Sequence, residues 1–383
     1  MAGLYVHVPF CARACPYCDF DFQVGRHPDV AGFIAGLTRE LAARKDMSAE
    51  TGVVPPGAAW PTVYLGGGTP SLLGPAGLRE LAAWIDRNFP GAGHDEYTVE
   101  VNPEHASPEL FAAIAGFGAT RVSLGVQTLD PAGLTALGRA HDRAAALAAL
   151  TDARAAGLEI SADLIVGWPG QTAASLRADV AAIVAAGARH VSVYALTIES
   201  GTPWETLVRR GKRRLPDPEH QTDLLILAAD TLVAAGLEHY EVASYAAPGQ
   251  HARHNLGYWT WRDYLGLGPS AHSAVYSRDG ALIRRGNRRG LGPWLDGPGA
   301  AGELDPQAPL AAAAEGLWTG LRHLPGLDLA AFLARFPAVD RAWIAARTDR
   351  QRARGNLELG EQVLRVAPGR WLWHDSIAAD LLA

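Results

Sequence analysis

Six short apolar segments, each followed by a longer one rich in alanine and leucine, set the tightest limit on what this chain can fold into. Strands are expected at 3–8 (GLYVHV), 62–66 (TVYLG), 97–101 (YTVEV), 120–126 (TRVSLGV), 159–166 (EISADLIV) and 190–196 (HVSVYAL), where Val, Ile, Tyr and Thr are dense. Helices are expected near 28–45, 75–88, 107–117, 142–156, 172–187 and 217–236. Ser107-Pro108 and Asp130-Pro131 each put proline at a first helical position. Six such units in a row imply parallel strands joined by right-handed crossovers. An open sheet and a partial barrel both fit that order. Polar residues collect at the strand C-terminal ends: Gly66-Gly67-Gly68-Thr69, Glu100 to Asn102, Gln127 and Asp163. That favours a barrel, whose site is built on that rim. The expected fold is α/β, a partial (β/α)6 barrel over 1–237. An aromatic and histidine-rich extension follows over 238–300, and then a mainly helical, winged-helix-like domain over 301–383 with a β-ribbon near 357–373.

All three cysteines, Cys11, Cys15 and Cys18, fall in FCARACPYCDF near the amino terminus. An odd number cannot pair fully, and reduced thiols suit the cytoplasm. The first residues carry no basic leader, and no apolar segment is long enough to span a bilayer. Three readings of the C-x3-C-x2-C spacing remain open on residues alone: unconnected free thiols, structural zinc closed by His7 or His27, or an iron–sulfur cube with one iron left open. Pro9 and Pro16 argue for a loop rather than a helix there.

At this point the residues match a family. YVHVPFCARACPYCDF resembles the radical S-adenosylmethionine (SAM) enzymes. YLGGGTPSLL, VEVNPE, RVSLGVQTLD, DLIVGWPGQT, HNLGYW and YLGLGPSAHS extend the likeness to the branch that contains oxygen-independent coproporphyrinogen III oxidase and haem chaperones. The resemblance implies a [4Fe–4S] cluster on Cys11, Cys15 and Cys18 whose open iron chelates SAM. An electron from the reduced cluster then cleaves the sulfonium bond to give methionine and a 5′-deoxyadenosyl radical. It implies SAM contacts at Tyr5, Tyr17, Gly67, Gly68, Thr69, Glu100, Gln127, Arg139, Asp163 and Ala195, with Arg139 on the SAM carboxylate. It also implies haem binding through His254, Tyr258 and Trp259 of HNLGYW, with His254 as the iron ligand and His251 and His272 as rivals.

Two features separate the chaperones from the oxidase. The oxidase pattern has a further cysteine where this chain has Phe20, and it has a long segment before its cluster where this chain has ten residues. The resemblance implies apo-haemoproteins such as respiratory enzymes as acceptors, and a flavodoxin or ferredoxin as electron donor. It allows a homodimer and transient approach to the membrane. The net charge of −6 gives no electrostatic reason to expect nucleic acid. The arginines of 341–354 are read as a solvated face.

Overall fold

A computed structural model describes residues 1–45, 59–214, 217–297, 299 and 301–382. The expected strands form as β1 (Gly3–Val8), β2 (Thr62–Gly67), β3 (Glu96–Val101), β4 (Arg121–Gln127), β5 (Glu159–Val166) and β6 (His190–Ala195). All six pair in parallel and in chain order. A strand order with no reversal keeps every crossover helix on one face, so the sheet curls into a partial barrel. Residues Leu4, Val6, Val63, Leu65, Val99, Val122, Leu124, Ala162, Leu164 and Val191 point outward and are buried against that helical layer. The alternate residues face the hollow and are largely polar: Tyr64, Glu100, Ser123, Asp163 and Ser192.

The two proline signals open helices. Ser107 caps Pro108–Gly116 by accepting from Leu110 N, and Asp130 caps Pro131–Ala136 by accepting from Ala132 N. The chain after residue 237 adds strands to both edges of the same sheet. β7 (Glu238–Glu241) and β8 (Ser244–Ala246) run antiparallel beyond β6. β9 (Tyr264–Leu267) returns parallel to β1, and β10 (His272–Tyr276), β11 (Leu282–Asn287) and β12 (Ala301–Gln307) meander outward from it. A fully buried pair, Arg44 to Glu40 at 2.8 Å, locks the helix Val30–Lys45 to this extension. Arg44 donates to Ser273, Gly266 O and Asn287, and Glu40 accepts from Trp294 and Gly268 N.

Helix Arg253–Trp259, which carries HNLGYW, closes the lower end of the barrel. Its first amides, Arg253 N and His254 N, donate to the Glu96 carboxylate at 2.6 and 3.1 Å, an anion at a helix N-terminus. The C-terminal residues have their own core around Leu317, Phe332, Phe336, Ile344 and Leu364. Helices there precede a small sheet in which Leu357–Leu359 pairs with Val363–Val366. Among the described residues no helix is long and apolar enough to cross a membrane.

Candidate functional site

The three thiols sit on a loop that leaves the C-terminal end of β1 and folds back on itself. Phe10–Cys11 pairs with Gln23–Val24, and Gly25 N donates to Cys11 O at 2.9 Å. The β2 turn carries this loop, because Gly68 N donates to Val8 O at 2.9 Å and Thr69 N to Phe10 O at 2.7 Å. A β-carbon on Gly68 would lie 2.8 Å from both Phe10 O and Val8 O, so the glycine run is a structural requirement of the contact. His7 Nε2 bonds Asp21 O at 2.7 Å, and the Asp21 carboxylate accepts from Ser270 and Gly290 N, each at 2.6 Å. The loop is thus braced before any metal binds.

Cys11, Cys15 and Cys18 are free and half-buried. Burial pushes the Cys11 and Cys18 thiols up to about 11. Raised values argue against free, reactive thiolates at neutral pH, and a bound metal would have to draw the protons off. Among the described residues no group of three or more His, Cys, Asp or Glu side chains is placed to hold a single metal ion. His7 is committed to Tyr5 and Asp21. A lone tetrahedral ion needs its ligands drawn to one point about 2.3 Å from each sulfur. A cube instead takes one thiolate per iron, a donor set that three cysteines on one loop can supply.

The thiols open onto a cavity of about 390 Å³ that runs down the inside of β2 to β6, from the cysteine loop to Arg121, His190, Ala252 and Asn255 at the lower end, within the usual span for small-molecule sites. Tyr17, Gly67, Gly68, Thr69, Glu100, Gln127, Arg139, Asp163 and Ala195 all line it. On its floor the Tyr64 hydroxyl donates to Glu100 Oε1 at 2.8 Å, and Gly67 N donates to Oε2 at 3.2 Å. Burial pushes Glu100 up to about 7 despite those donors. Asp163 accepts from the Ser123 hydroxyl at 3.2 Å and is pushed up to about 6, again by burial. Two carboxylates held at this cost call for a cation.

The opposite wall supplies an anion partner. Arg139 donates from one nitrogen to Asn102 Oδ1 at 2.6 Å and Gly125 O at 3.0 Å, and from the other to Cys15 Sγ at 3.5 Å. Its Nε is buried with no hydrogen-bond partner among the described residues. Asn102 in turn donates to Thr69 Oγ1 at 3.2 Å, and Thr69 shares a hydrogen bond with Cys11 Sγ at 3.3 Å. One chain of polar contacts therefore runs from Arg139 through Asn102 and Thr69 to the first cysteine. Gly125 must lack a side chain, since a β-carbon would lie 2.9 Å from Asn102 Oδ1. Gln127 adopts φ +64° at a register shift in β4, a left-handed conformation that costs a non-glycine residue and aims it at the rim.

Sequence reasoning passed over Tyr64, Ser123 and Ser192. Their inward parity on β2, β4 and β6, shared with Glu100 and Asp163 on neighbouring strands, was the available signal.

Tyr5, expected beside SAM, lies one ring behind Tyr64, 6.1 Å between centroids, and lines a second cavity. Tyr258 and Trp259 line that second cavity too. His254 lines neither. Its ring is buried, with Nδ1 bonded to Thr62 Oγ1 at 3.0 Å and Nε2 to the Tyr258 hydroxyl at 2.8 Å. Burial lowers its pKa to about 3. Iron ligation by His254 requires one of those two bonds to break. His251 stacks on Tyr240 at 4.2 Å and bonds Glu238.

The sequence pattern of the Radical SAM superfamily matches residues 5–183. The chain is 42% identical over 279 residues to the haem chaperone HemW of Mycobacterium tuberculosis, covering 71% of this chain and 69% of that one. It is 33% identical over 348 residues to the Synechocystis haem chaperone HemW, covering 88% and 81%, and 32% identical over 314 residues to that of Escherichia coli, covering 80% and 79%. Among solved structures, coproporphyrinogen III oxidase (HemN) of Escherichia coli superposes with a TM-score of 0.81 over 99% of this chain and 89% of that one. At 21% identity that is a likeness of fold.

Proposed function

Because the chain belongs to the HemW haem chaperones of the radical SAM superfamily, we propose that it binds haem and passes it to apo-haemoproteins, with a [4Fe–4S] cluster and SAM in the cavity on the barrel rim. The observation that carries the SAM site is the pairing of opposite charges beside three thiols. SAM brings a sulfonium, an ammonium, a carboxylate and a ribose. Glu100 and Asp163 would take the positive groups and the ribose hydroxyls, and Arg139 the carboxylate through a planar fork. When bound, the cluster supplies a low-potential electron to the sulfonium. This chain's own part is to hold that cation against the loop, to fix its carboxylate with Arg139, and to enclose both between β2 and β6. A flavodoxin or ferredoxin fits the need for a one-electron donor, and haemoproteins of respiration are the acceptors proposed.

The charge pairing carries a pH dependence. Both carboxylates have raised values in the cavity, so they are protonated below them and lose their hold on a cation. SAM affinity is expected to fall as the pH drops from about 8 to about 5.5, through the Glu100 and then the Asp163 transition. Glu100→Gln should remove the upper limb of that profile in a calorimetric titration. A wild-type profile flat over the same range would contradict the assignment.

The function is tested by loading the anaerobically reconstituted protein with haemin and mixing it with an apo-haemoprotein. Movement of the Soret band to the acceptor's position is expected, with no conversion of coproporphyrinogen III in the presence of SAM and reductant. Protoporphyrinogen appearing with turnover would favour the oxidase reaction instead.

A further inference from the structure

The second cavity, about 380 Å³, follows the inner face of β1, β9 and β10 down to the floor helix. Tyr5, Tyr258, Trp259, Tyr264 and Tyr276 line it together with His272, and the Arg284–Glu315 ion pair forms a polar stretch of the same wall. Tyr258 packs edge-on against Tyr264 at 4.7 Å. Trp259 is fixed from behind by Arg322, whose guanidinium carbon lies 4.4 Å from the ring centre. Aromatic walls of this kind suit a flat, apolar ring system. Trp259 also keeps its indole N–H buried without an acceptor among the described residues, and a carboxylate at the edge of such a ring system would supply one.

Two histidines line this cavity, and only one can give a lone pair. His7 spends Nδ1 on Tyr5 at 3.1 Å and Nε2 on Asp21 O at 2.7 Å. His272 is exposed, and neither of its ring nitrogens has a hydrogen-bond partner among the described residues. Its place is set by two glycines. A β-carbon on Gly266 would lie 2.0 Å from His272 O, and one on Gly286 would lie 3.0 Å from the ring. Partial burial, and after it the nearby Arg284 cation, lower the His272 pKa, with Glu303 acting in the opposite sense.

Resting on the haem-chaperone reading above, we propose that the aromatic cavity is the haem seat and that His272 is the axial ligand to the iron. His254 is then a positioning residue, holding the Tyr258 wall through its 2.8 Å bond and the floor helix through Thr62. A seat whose ligand stands at an exposed rim also suits cargo that must leave again.

Haemin titrated into the full chain, followed by the Soret band and by resonance Raman of the iron–ligand stretch, tests this. His272→Ala is expected to weaken haemin binding by about tenfold or more and to abolish the imidazole–iron signature. Added free imidazole should restore that signature, and the cluster absorbance should not change. His272→Gln should behave in the same way and guards against disturbance of the rim by alanine. His254→Gln should keep the imidazole signature. Retention of signature and affinity in both His272 variants would overturn the ligand assignment while leaving the chaperone reading intact. A wild-type chain that takes up no haemin would overturn both.

Discussion

Serine at Cys11, Cys15 or Cys18 is expected to empty the cluster site, with iron falling from roughly four atoms per chain to well below one. In the proposed cluster each thiolate would anchor one corner of the cube, and the sequence holds no fourth cysteine to stand in. The fold should survive the loss. The loop is held by backbone bonds to β1 and the β2 turn and by Asp21, not by the thiols. Iron and sulfide analysis beside far-ultraviolet circular dichroism checks both halves. A serine variant that retains a full complement of iron would show that the cysteine is not a ligand.

Arg139→Ala should cost SAM binding about 2–3 kcal/mol, roughly a 30- to 150-fold rise in dissociation constant, with cluster iron unchanged. The size follows from burial. Truncating one partner of a desolvated ionic contact leaves the other uncompensated, and here it also leaves Asn102 Oδ1 and Gly125 O without their donor. The Asn102–Thr69 link to Cys11 would loosen with them. Arg139→Lys should recover only part of the loss, because an ammonium restores the charge but not the planar fork. Calorimetry with the reconstituted variants measures both values. Equal affinity in the alanine variant and the wild type would remove Arg139 from the SAM carboxylate.

The barrel was legible because its strands alternate. A parallel sheet covered on both faces reads as continuous apolar sequence. Here Tyr5, His7, Tyr64, Glu100, Ser123 and Asp163 interrupt the apolar residues at every second position, and that parity points them into the hollow. The bounds of β1 and β5 coincide with those expected. The rim loop was legible from its cysteines and prolines.

The floor was not legible. HNLGYW lay outside the expected helices, yet Arg253–Trp259 is helical despite Gly257, a residue that costs a helix interior about 1 kcal/mol relative to alanine. Its stability comes from Glu96 and Thr62, more than 150 residues earlier in the chain, and no local pattern carries that information. The split between the two cavities was hidden for the same reason. Tyr5 and Tyr64 share a face of the sheet, and only the return of β9 beside β1 assigns them to different hollows.

In the proposed function the cysteine loop and the charged cavity form one site. Electron paramagnetic resonance of the reduced, anaerobically reconstituted protein, recorded with and without SAM, tests that most directly. A shift of the cluster's g-values on adding SAM is expected, as the open iron gains its ligand. A spectrum that SAM leaves unchanged, or a purified chain that carries one zinc and no sulfide, would contradict it.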